Sequence, residues 1–411
     1  MSEHRHPLAI RDFRYFWTAR LCSTLAQNAM VIVIGWQVYD IARQTMGLKQ
    51  AALQLGLIGL AQFLPLFALV LITGWTADRV DRRFIARLCL TLLLFCAALL
   101  AWFSFRGTMT LGILFSVAVL LGVARAFSMP AQNALAPNLV PPALLPRAVA
   151  TTAIAGRVGG IAGPAMGGYL YAGAPHMPYM VAAFLLGGSL FCMLMIRPIA
   201  RTGIDGSRNP WRQMVEGLSY VIHNRLVLGA ISLDLFAVLL GGATAMLPIF
   251  ARDILHVGPA GLGHLRAAPA VGAMLIALWF SWAPLSKGVG VKMLAAVGVF
   301  GVATVGFGLS RWFPLSLACL AVLGAADMFS VYVRQSLIQI STPNEMRGRV
   351  GAVSTLFISA SNELGEAESG FLAALIGPVA AVVAGGAGAV AIALLWAKLF
   401  PALRRAEGFQ V

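Results

Sequence analysis

Twelve apolar segments, each about as long as a membrane-spanning helix, take up nearly the whole of this chain. The 411 residues are 59% hydrophobic and only 11% charged, and their mean hydropathy is +0.84. Because about 20 apolar residues in an α-helix cross a hydrocarbon core of roughly 30 Å, this pattern predicts an all-α membrane protein. The predicted spans are residues 15–41, 52–77, 84–106, 109–133, 149–173, 178–197, 227–251, 261–284, 291–310, 313–337, 349–372 and 376–397.

The distribution of the basic residues is typical of a membrane protein and not of a nucleic-acid-binding protein, although the net charge is +15. With the loops assigned alternately from the cytosol, 20 of the 30 lysines and arginines fall inside, five fall outside and five lie at membrane depth. The positive-inside rule then places both termini in the cytosol. We expect a multi-pass protein of the inner (plasma) membrane, in contact with the lipid bilayer, without nucleic acid and monomeric.

Catalytic and metal-binding patterns do not stand out in this sequence. The five cysteines lie in apolar runs without CxxC spacing, and the six histidines lie mostly in loops or near helix ends. The phosphate-binding pattern GxxxxGK[ST] is absent, and we find no nucleophile with a base. We therefore expect no enzyme activity, no metal and no cofactor. The energy source is expected to be an ion gradient, of protons above all, or the substrate's own gradient.

Two stretches align without a gap at an offset of 202 residues, 122–150 with 324–352, and the register continues into the following span. Such a repeat predicts two related six-helix halves, residues 1–197 and 226–411, joined by a cytosolic linker at 198–225. The linker contains the amphipathic stretch WRQMVEGLSYVIHNR. The identical pairs are Gly122 with Gly324, Phe127 with Phe329, Ser128 with Ser330, Leu135 with Leu337, Pro141 with Pro343, Arg147 with Arg349, Gly163 with Gly365, and Gly168 with Gly370.

The loop after the second span reads GWTADRVDRR. A small Gly74 lets two helices approach, and Asp78 can face the positive N-terminus of a helix and the adjacent arginines. We interpret this loop as a charge latch that gates the cytosolic side. Its candidate residues are Gly74, Asp78, Arg79, Arg82 and Arg83. The matching segment of the second half, SWAPLSKGVG, lacks the Asp-Arg pair, so the predicted latch is one-sided.

The fifth span contains GGIAGPAMGG at residues 159–168. Glycines at this spacing form a small-residue face for close helix packing, and a proline bends the helix. A packing seam and a direct functional role both remain open for this segment. The seam residues are Gly159, Gly163, Pro164, Gly167 and Gly168.

These motifs, with FRYFWTARL, ARAFSMPAQNALAPNLVP and TPNEMRGRV, resemble the major facilitator superfamily, in particular its branch of siderophore exporters and secretion effectors. The loop matches the family signature GxxxDRxGRR except for Asp81 in place of glycine, and the fifth span matches GxxxGPxxGG. The resemblance implies two pseudo-symmetric bundles of six helices and transport by alternating access. It also implies proton-coupled export of a siderophore, drug or similar amphiphile. A lipid or lysophospholipid flippase and a non-transporting membrane sensor are the alternatives.

The eleventh span reads SNELGEAESG at residues 361–370, with three glutamates within two turns. An ionised carboxylate near the bilayer centre costs about 2.5–3.5 kcal/mol even on a lenient scale, so such residues are expected to have a role. They either carry protons or have a structural role, in which they pair with buried arginines or lie near the extracellular mouth. The candidates for proton coupling are Glu363, Glu366, Glu368, Asp327 and Asp234.

Polar residues at helical spacing form a stripe along the first span. By the 202-residue register, Arg125 in the fourth span corresponds to Asp327 in the tenth, so opposite charges occupy equivalent positions. The resemblance implies that the first, fourth, seventh and tenth spans line the substrate cavity. Arg125 is interpreted as a substrate or gating contact, or as half of a structural ion pair. The cavity candidates for a small-molecule substrate are Arg20, Gln27, Asn28, Arg125 and Asp327.

Overall fold

The structure is a computed structural model that describes residues 6–197, 210–283, 285, 287–343 and 345–408. Within these ranges, side chains are described except at 70–72, 74, 75, 77–79, 129, 130, 133, 134, 137 and 210–213. All regular elements of the described residues are helices. The predicted all-α class is confirmed.

The helices follow the predicted apolar segments closely. Before the linker they are α1 (Arg11–Thr45), α2 (Leu48–Arg79), α3 (Arg82–Phe105), α4 (Leu111–Leu135), α5 (Leu145–Gly173) and α6 (Met177–Leu194). From the linker onwards they are α7 (Pro210–His223), α8 (Arg225–Leu240), α9 (Leu247–Ile249), α10 (Gly258–Trp282), α11 (Val289–Leu309), α12 (Phe313–Ser341), α13 (Arg347–Ile376), α14 (Pro378–Leu399) and α15 (Pro401–Arg404). Short 3-10 turns occur at Pro7–Ala9, Ala136–Leu139, Pro142–Leu144 and Ala243–Met246, and a π-helix at Phe250–Ile254.

Ten helical segments among the described residues are long and apolar enough to cross a membrane. They coincide with ten of the twelve predicted spans. The other two fall on α5 and α13, helices of 29 and 30 residues whose glycines, arginines and glutamates lower their hydropathy. The protein is thus a multi-pass membrane protein, and the total of twelve spans stays a prediction.

Polar caps fix where several of these helices begin. The Asp81 carboxylate accepts a hydrogen bond from the backbone N–H of Arg83 and caps α3. Asn224 caps α8, because its side-chain oxygen accepts from Leu226 N at 3.1 Å and Val227 N at 3.2 Å. Both caps satisfy N–H groups that have no partner within the helix, at the point where the chain re-enters an apolar run.

The same packing scheme recurs in both predicted halves. The third span, α3, packs against the fourth and sixth, α4 and α6. The ninth span, α11, packs against the tenth and twelfth, α12 and α14. The fifth span contacts the first through glycines, and the eleventh, α13, packs against the seventh, α8. This recurrence is what a duplicated six-helix unit predicts.

The repeated pair Gly122 and Gly324 has one physical role in both halves. A side-chain carbon at Gly122 would collide with the backbone of Gln62 in α2, and one at Gly324 with the backbone of Pro269 in α10. Each glycine therefore allows the fourth or tenth span to cross the second or eighth span at backbone distance. The sequence identity at this position reflects close helix packing.

The described chain divides by its contacts into two compact units. One consists of Met1–Ile41, Ala61–Ser207 and Gly258–Ala267. The other consists of Ala42–Leu60, Arg208–Val257 and Ala268–Val411. The units follow contacts and the predicted halves follow the repeat, so the sequence boundaries at 197 and 225 remain predictions. Residues 198–209 of the predicted linker lie outside the described residues.

Candidate functional site

A small, partly open cavity lies between α8, α11 and α12, with room for about one water molecule. Most of its wall is apolar, but two carboxylates and one hydroxyl also line it. A few polar groups converging in an apolar cavity are the usual composition of a ligand or ion site. The lining residues are Asp234, Ala237, Val238, Val297, Phe300, Ala326, Asp327 and Ser330.

A buried ion pair joins α8 to α12 beside this cavity. Asp234 Oδ1 pairs with Arg334 Nη1, and the two residues are only 5% and 1% exposed. Arg334 follows Asp327 by seven residues, so both lie on the same face of α12. Two carboxylates and one guanidinium therefore share this part of the bilayer. Both aspartates are candidates in the sequence, but Arg334 was not predicted as a site residue. Its signal was its position at membrane depth on the same helical face as Asp327.

Ser330 gives the cavity an unsatisfied polar group. Its hydroxyl is buried, 3% of the residue is exposed, and Oγ has no hydrogen-bond partner among the described residues. A buried hydroxyl without a partner is costly, so water, a proton donor or a ligand group in the cavity would stabilise it. Asp327, one turn before it, is half-buried.

The seventh span is broken where it leaves the cavity. α8 ends at Leu240, and a 3-10 turn, the short α9 and a π-helix carry the span to Ile254. At Gly242 a side-chain carbon would collide with the carbonyl of Gly365 in α13. Irregular backbone at membrane depth is stable where protein covers it, and most residues of this stretch up to Ala251 are buried.

The three glutamates of α13 lie on faces that pack against protein. Glu363, Glu366 and Glu368 are half-buried, whereas Leu364 and Phe371 of the same helix are exposed. A side-chain carbon at Gly59 of α2 would lie 3.8 Å from Glu366 Oε2. One oxygen of Glu368 is buried without a hydrogen-bond partner among the described residues. The carboxylates thus avoid the lipid-facing side, as their cost in hydrocarbon requires.

The polar stripe of α1 is satisfied largely within its own helix. The Gln27 side-chain amide donates to the Ser23 carbonyl at 3.2 Å, and that of Asn28 donates to the Thr24 carbonyl at 2.9 Å. Such bonds to the preceding turn let polar side chains remain at membrane depth without an external partner. Arg20 and Arg125 are half-buried, and each has an interaction within the structure.

The charges of the predicted spans differ between the two halves. Apart from Arg87, which the loop assignment places on the cytosolic side, the first-half spans carry Arg20, Arg125 and Arg157 and no acid away from their ends. The second-half spans carry two arginines and five acids: Arg266, Arg334, Asp234, Asp327, Glu363, Glu366 and Glu368. Subtraction gives +3 for the first half and 2 − 5 = −3 for the second. The halves are therefore copies in packing but have opposite charge at membrane depth.

The glycine seam of α5 packs directly against α1. Side-chain carbons at Gly159 and Gly163 would lie 2.5 Å from Thr24 Cγ2 and 2.7 Å from Asn28 Cβ. At Gly167 the nearest atom would be the Ala29 carbonyl oxygen at 2.9 Å. These glycines recur every four residues, so they form one stripe along the interface. Pro164 is buried in the same helix.

Gly163→Ala is expected to destabilise the protein by about 1–3 kcal/mol, because the new methyl group would collide with Asn28 Cβ and the Leu25 carbonyl. Gly160→Ala is the matched control, since Gly160 lies in the same helix with nothing within 4 Å of the added carbon. Thermal unfolding in detergent measures both variants. Equal melting temperatures for the two would show that α5 and α1 do not pack in this way.

The structure describes the side chains of only two of the five predicted latch residues, Arg82 and Arg83. Those of Gly74, Asp78 and Arg79 lie outside the described part, so the latch stays a prediction. Arg83 is buried, forms an ion pair with Asp81 at 2.6 Å and donates to the Ile196 carbonyl at 3.3 Å. Arg82 is half-buried and has an interaction within the structure.

A second basic side chain strengthens this contact with the end of α6. Arg87 Nη2 donates to the Met193 carbonyl at 3.1 Å, so two arginines satisfy carbonyls at the C-terminal end of α6. Burial tends to raise the pKa of Asp81, but hydrogen bonds from Arg83 and the charges of Arg83 and Arg87 outweigh it and hold that pKa below its ordinary value. The carboxylate is therefore ionised at neutral pH. Its stabilising effect would be lost only as the pH falls through the lowered pKa.

A buried hydrogen-bond chain that the sequence did not reveal links three helices of the first unit. The Tyr179 hydroxyl donates to Gln37 Oε1 at 2.7 Å, and Gln37 Nε2 donates to Ser104 Oγ at 3.3 Å. Tyr179 and Gln37 are both buried. The chain ties α6, α1 and α3 together near one end of the helices, where each polar group would otherwise lack a partner.

The helical repeats, the glycine crossings and the acids buried at membrane depth are the features of a polytopic membrane transporter. A sequence profile described as Major Facilitator Superfamily matches residues 16–366. The chain belongs to this superfamily and is a transporter of that class. The resemblance noted in its motifs is confirmed.

Two relatives of known activity align with almost the whole chain. The enterobactin exporter EntS of Citrobacter koseri (strain ATCC BAA-895 / CDC 4225-83 / SGSC4696) is 28% identical over 407 residues, which cover 96% of this chain and 92% of EntS. EntS of Escherichia coli O1:K1 / APEC has the same identity and coverage.

Solved transporters share the fold at low sequence identity. The nucleoside transporter NupG aligns with a TM-score of 0.71 and 12% identity over 95% of this chain and 99% of NupG. A bacterial homologue of the human lysosomal transporter Spinster, in its inward-facing and unoccupied conformation, aligns with a TM-score of 0.70 and 16% identity over 98% of each chain. At these identities the likeness concerns the fold alone.

Proposed function

We propose that this transporter is a proton-coupled exporter of an amphiphilic small molecule of the siderophore class. It would work by alternating access in the inner membrane, as a monomer with both termini in the cytosol. The observation that carries the proposal is the second-half cavity, which is lined by two carboxylates at membrane depth, Asp234 and Asp327, and in which Asp234 pairs with the buried Arg334.

The two carboxylates of this cavity are the candidates for proton binding. An ionised carboxylate at membrane depth is costly unless it is paired and hydrogen-bonded, and protonation removes that cost. A proton on Asp234 would weaken its pairing with Arg334 and so couple protonation to the contact between α8 and α12. A proton moving down one pH unit supplies about 1.4 kcal/mol, enough for a tenfold substrate gradient at one-to-one coupling.

The substrate class rests on the relatives and on the charge of the first half. EntS is an enterobactin exporter and aligns with 96% of this chain. Three arginines at membrane depth, Arg20, Arg125 and Arg157, make the first-half spans suited to an anionic or strongly polarised oxygen-rich group. Gln27 and Asn28 add hydrogen-bonding capacity on α1. The α13 glutamates remain further candidates for proton transfer.

Transport into inside-out membrane vesicles tests this function. With enterobactin outside and an acidic lumen, vesicles containing the protein should accumulate the siderophore. A protonophore should abolish the accumulation, because it removes the gradient that drives the exchange. Vesicles without the protein provide the background.

Each alternative predicts a different result in the same assay. Enterobactin uptake that ignores the pH gradient would contradict proton coupling. Absence of uptake would contradict the siderophore class. Translocation of a fluorescent lysophospholipid in reconstituted vesicles, without any gradient, would favour the flippase instead.

A further inference from the structure

The linker helix α7 packs one face against the second half of the chain. Gly217 and Val221 are buried, and a side-chain carbon at Gly217 would lie 2.8 Å from the Arg349 carbonyl in α13. The Tyr220 hydroxyl donates to the Ser341 carbonyl at the end of α12, at 2.7 Å. Glu216 adds an ion pair with Arg349 at 2.8 Å. This face fixes where the helix lies.

A second apolar face of α7 is not covered by described residues. Val215, Leu218 and Ile222 are 49%, 37% and 54% exposed. Their spacing of three and four residues places them in one stripe along the helix. Ser219 and His223, the next positions around the helix, are exposed and polar. Three aligned aliphatic side chains would be unfavourable in water, so the stripe needs a nonaqueous partner.

The position of α7 identifies that partner as lipid. A single residue, Asn224, separates it from α8, which begins a candidate membrane span at Arg225. Its covered face contacts α12 and α13 where those helices end and begin, at Ser341 and Arg349. The stripe therefore lies at the boundary of the membrane-spanning region. Three side chains also make a surface far smaller than a stable protein interface, which buries roughly 1,200–2,000 Å².

The exposed charges around this end of the bundle are mostly basic, although Glu345 and Glu407 are exposed acids there. Arg225 begins α8, and α15, which packs against α8, carries Arg404 and is followed by Arg405. All three arginines are exposed, as is Lys398 near the end of α14. Clusters of Lys and Arg beside a membrane span attract anionic head groups.

We propose that α7 lies in the membrane–water interface as a lipid-binding element, with Val215, Leu218 and Ile222 among the acyl chains and the neighbouring basic residues on anionic phospholipid head groups. Such an amphipathic helix needs a narrow apolar stripe, a polar flank and nearby cations. All three are present here. This surface is independent of the transport site and of the substrate.

Collisional quenching tests the position of the stripe in the full chain. A small fluorescent thiol reagent is attached at Leu218→Cys or, as the matched control, at Ser219→Cys in nanodiscs, and the unsubstituted chain gives the background of native cysteines. We expect lipid-chain quenchers to act about threefold more strongly at position 218, and aqueous iodide to act more strongly at 219. Equal iodide quenching at both positions, or protection of 218 from both quenchers, would overturn the proposal.

A second measurement does not depend on labelling. We expect the parent protein to melt at a higher temperature in nanodiscs that contain phosphatidylglycerol than in phosphatidylcholine alone. Leu218→Glu with Ile222→Glu should remove most of this difference, whereas Ser219→Glu should retain it, because only the former places charge in the acyl chains. The same lipid dependence in all three proteins would contradict the lipid-binding role of α7 and leave the transport proposal untouched.

Discussion

Arg334→Leu is expected to lower the free energy of unfolding by about 3–5 kcal/mol and to abolish proton-driven transport. The substitution leaves the Asp234 carboxylate buried beside α12 without its cation, next to a second carboxylate at Asp327. Thermal unfolding in detergent and siderophore uptake into inside-out vesicles measure the two effects. Asp234→Asn should behave similarly, because it leaves the guanidinium buried without its counter-charge.

The double variant Asp234→Asn with Arg334→Leu separates structure from coupling. Neutralising both partners removes the uncompensated charge, so stability should return most of the way to that of the parent. Proton-driven transport should stay absent, because the charge exchange has lost its cation. Uptake by the double variant with an unaltered dependence on the pH gradient would show that the pair is structural only.

A more exposed ion pair of the same unit provides the control. Arg349 pairs with Glu216 at 2.8 Å, but their side chains are 22% and 37% exposed, so water screens the interaction. Arg349→Leu should therefore cost less than about 1 kcal/mol. A similar loss in Arg334→Leu and Arg349→Leu would mean that burial of the Asp234 pair has no special effect.

Gly370→Val is expected to reduce transport at least tenfold, because α2 and α13 cross here at backbone distance. A side-chain carbon at Gly370 would collide with Gly56 Cα, and one at Gly56 would lie 2.9 Å from the Ala367 carbonyl oxygen. Backbone atoms cannot move aside as a flexible side chain can. A cost of about 1.4 kcal/mol to this arrangement already shifts its population tenfold.

Gly351→Val is the matched control in the same helix, because nothing lies within 4 Å of the carbon it would add. Both variants are compared by siderophore uptake and by their amount in the membrane. Gly370→Val should assemble but transport poorly, whereas Gly351→Val should resemble the parent in both. Normal uptake by Gly370→Val would refute a functional need for this close crossing.

The crossing has a counterpart in the first half. By the repeat, Gly370 corresponds to Gly168, and a side-chain carbon at Gly168 would collide with the Pro259 carbonyl in α10 and lie 3.1 Å from Gly263 Cα. Both glycines lie within about two turns of the C-terminal end of their helix, α5 or α13. The positive-inside rule predicts that these ends are extracellular. Symmetric glycines thus permit close contact at equivalent places of both halves.

Particular residues show how far the sequence could predict this site. Asp234 and Asp327 were visible as acids in apolar spans, because charge at membrane depth is rare and costly. Arg334, the partner of Asp234, could not be told apart from the other arginines at membrane depth, since pairing depends on which helices face each other. The Gly159–Gly168 segment predicted close packing by its spacing, but only the folded chain shows that α1 is the partner of Gly159, Gly163 and Gly167.

The sequence by itself determined the membrane, the helices and the duplication. The length of the apolar segments, the charge of the loops and the 202-residue register are all visible in the chain itself. The bilayer requires each span to be an apolar helix, whatever helices later pack beside it. Only the tertiary structure decided that Asp234 pairs with Arg334, that Ser330 opens onto their cavity and that α7 leaves a stripe uncovered. The physical reason is that the need to be an apolar helix in lipid applies to each span separately. Ion pairs, cavities and exposed faces instead depend on how the helices pack together.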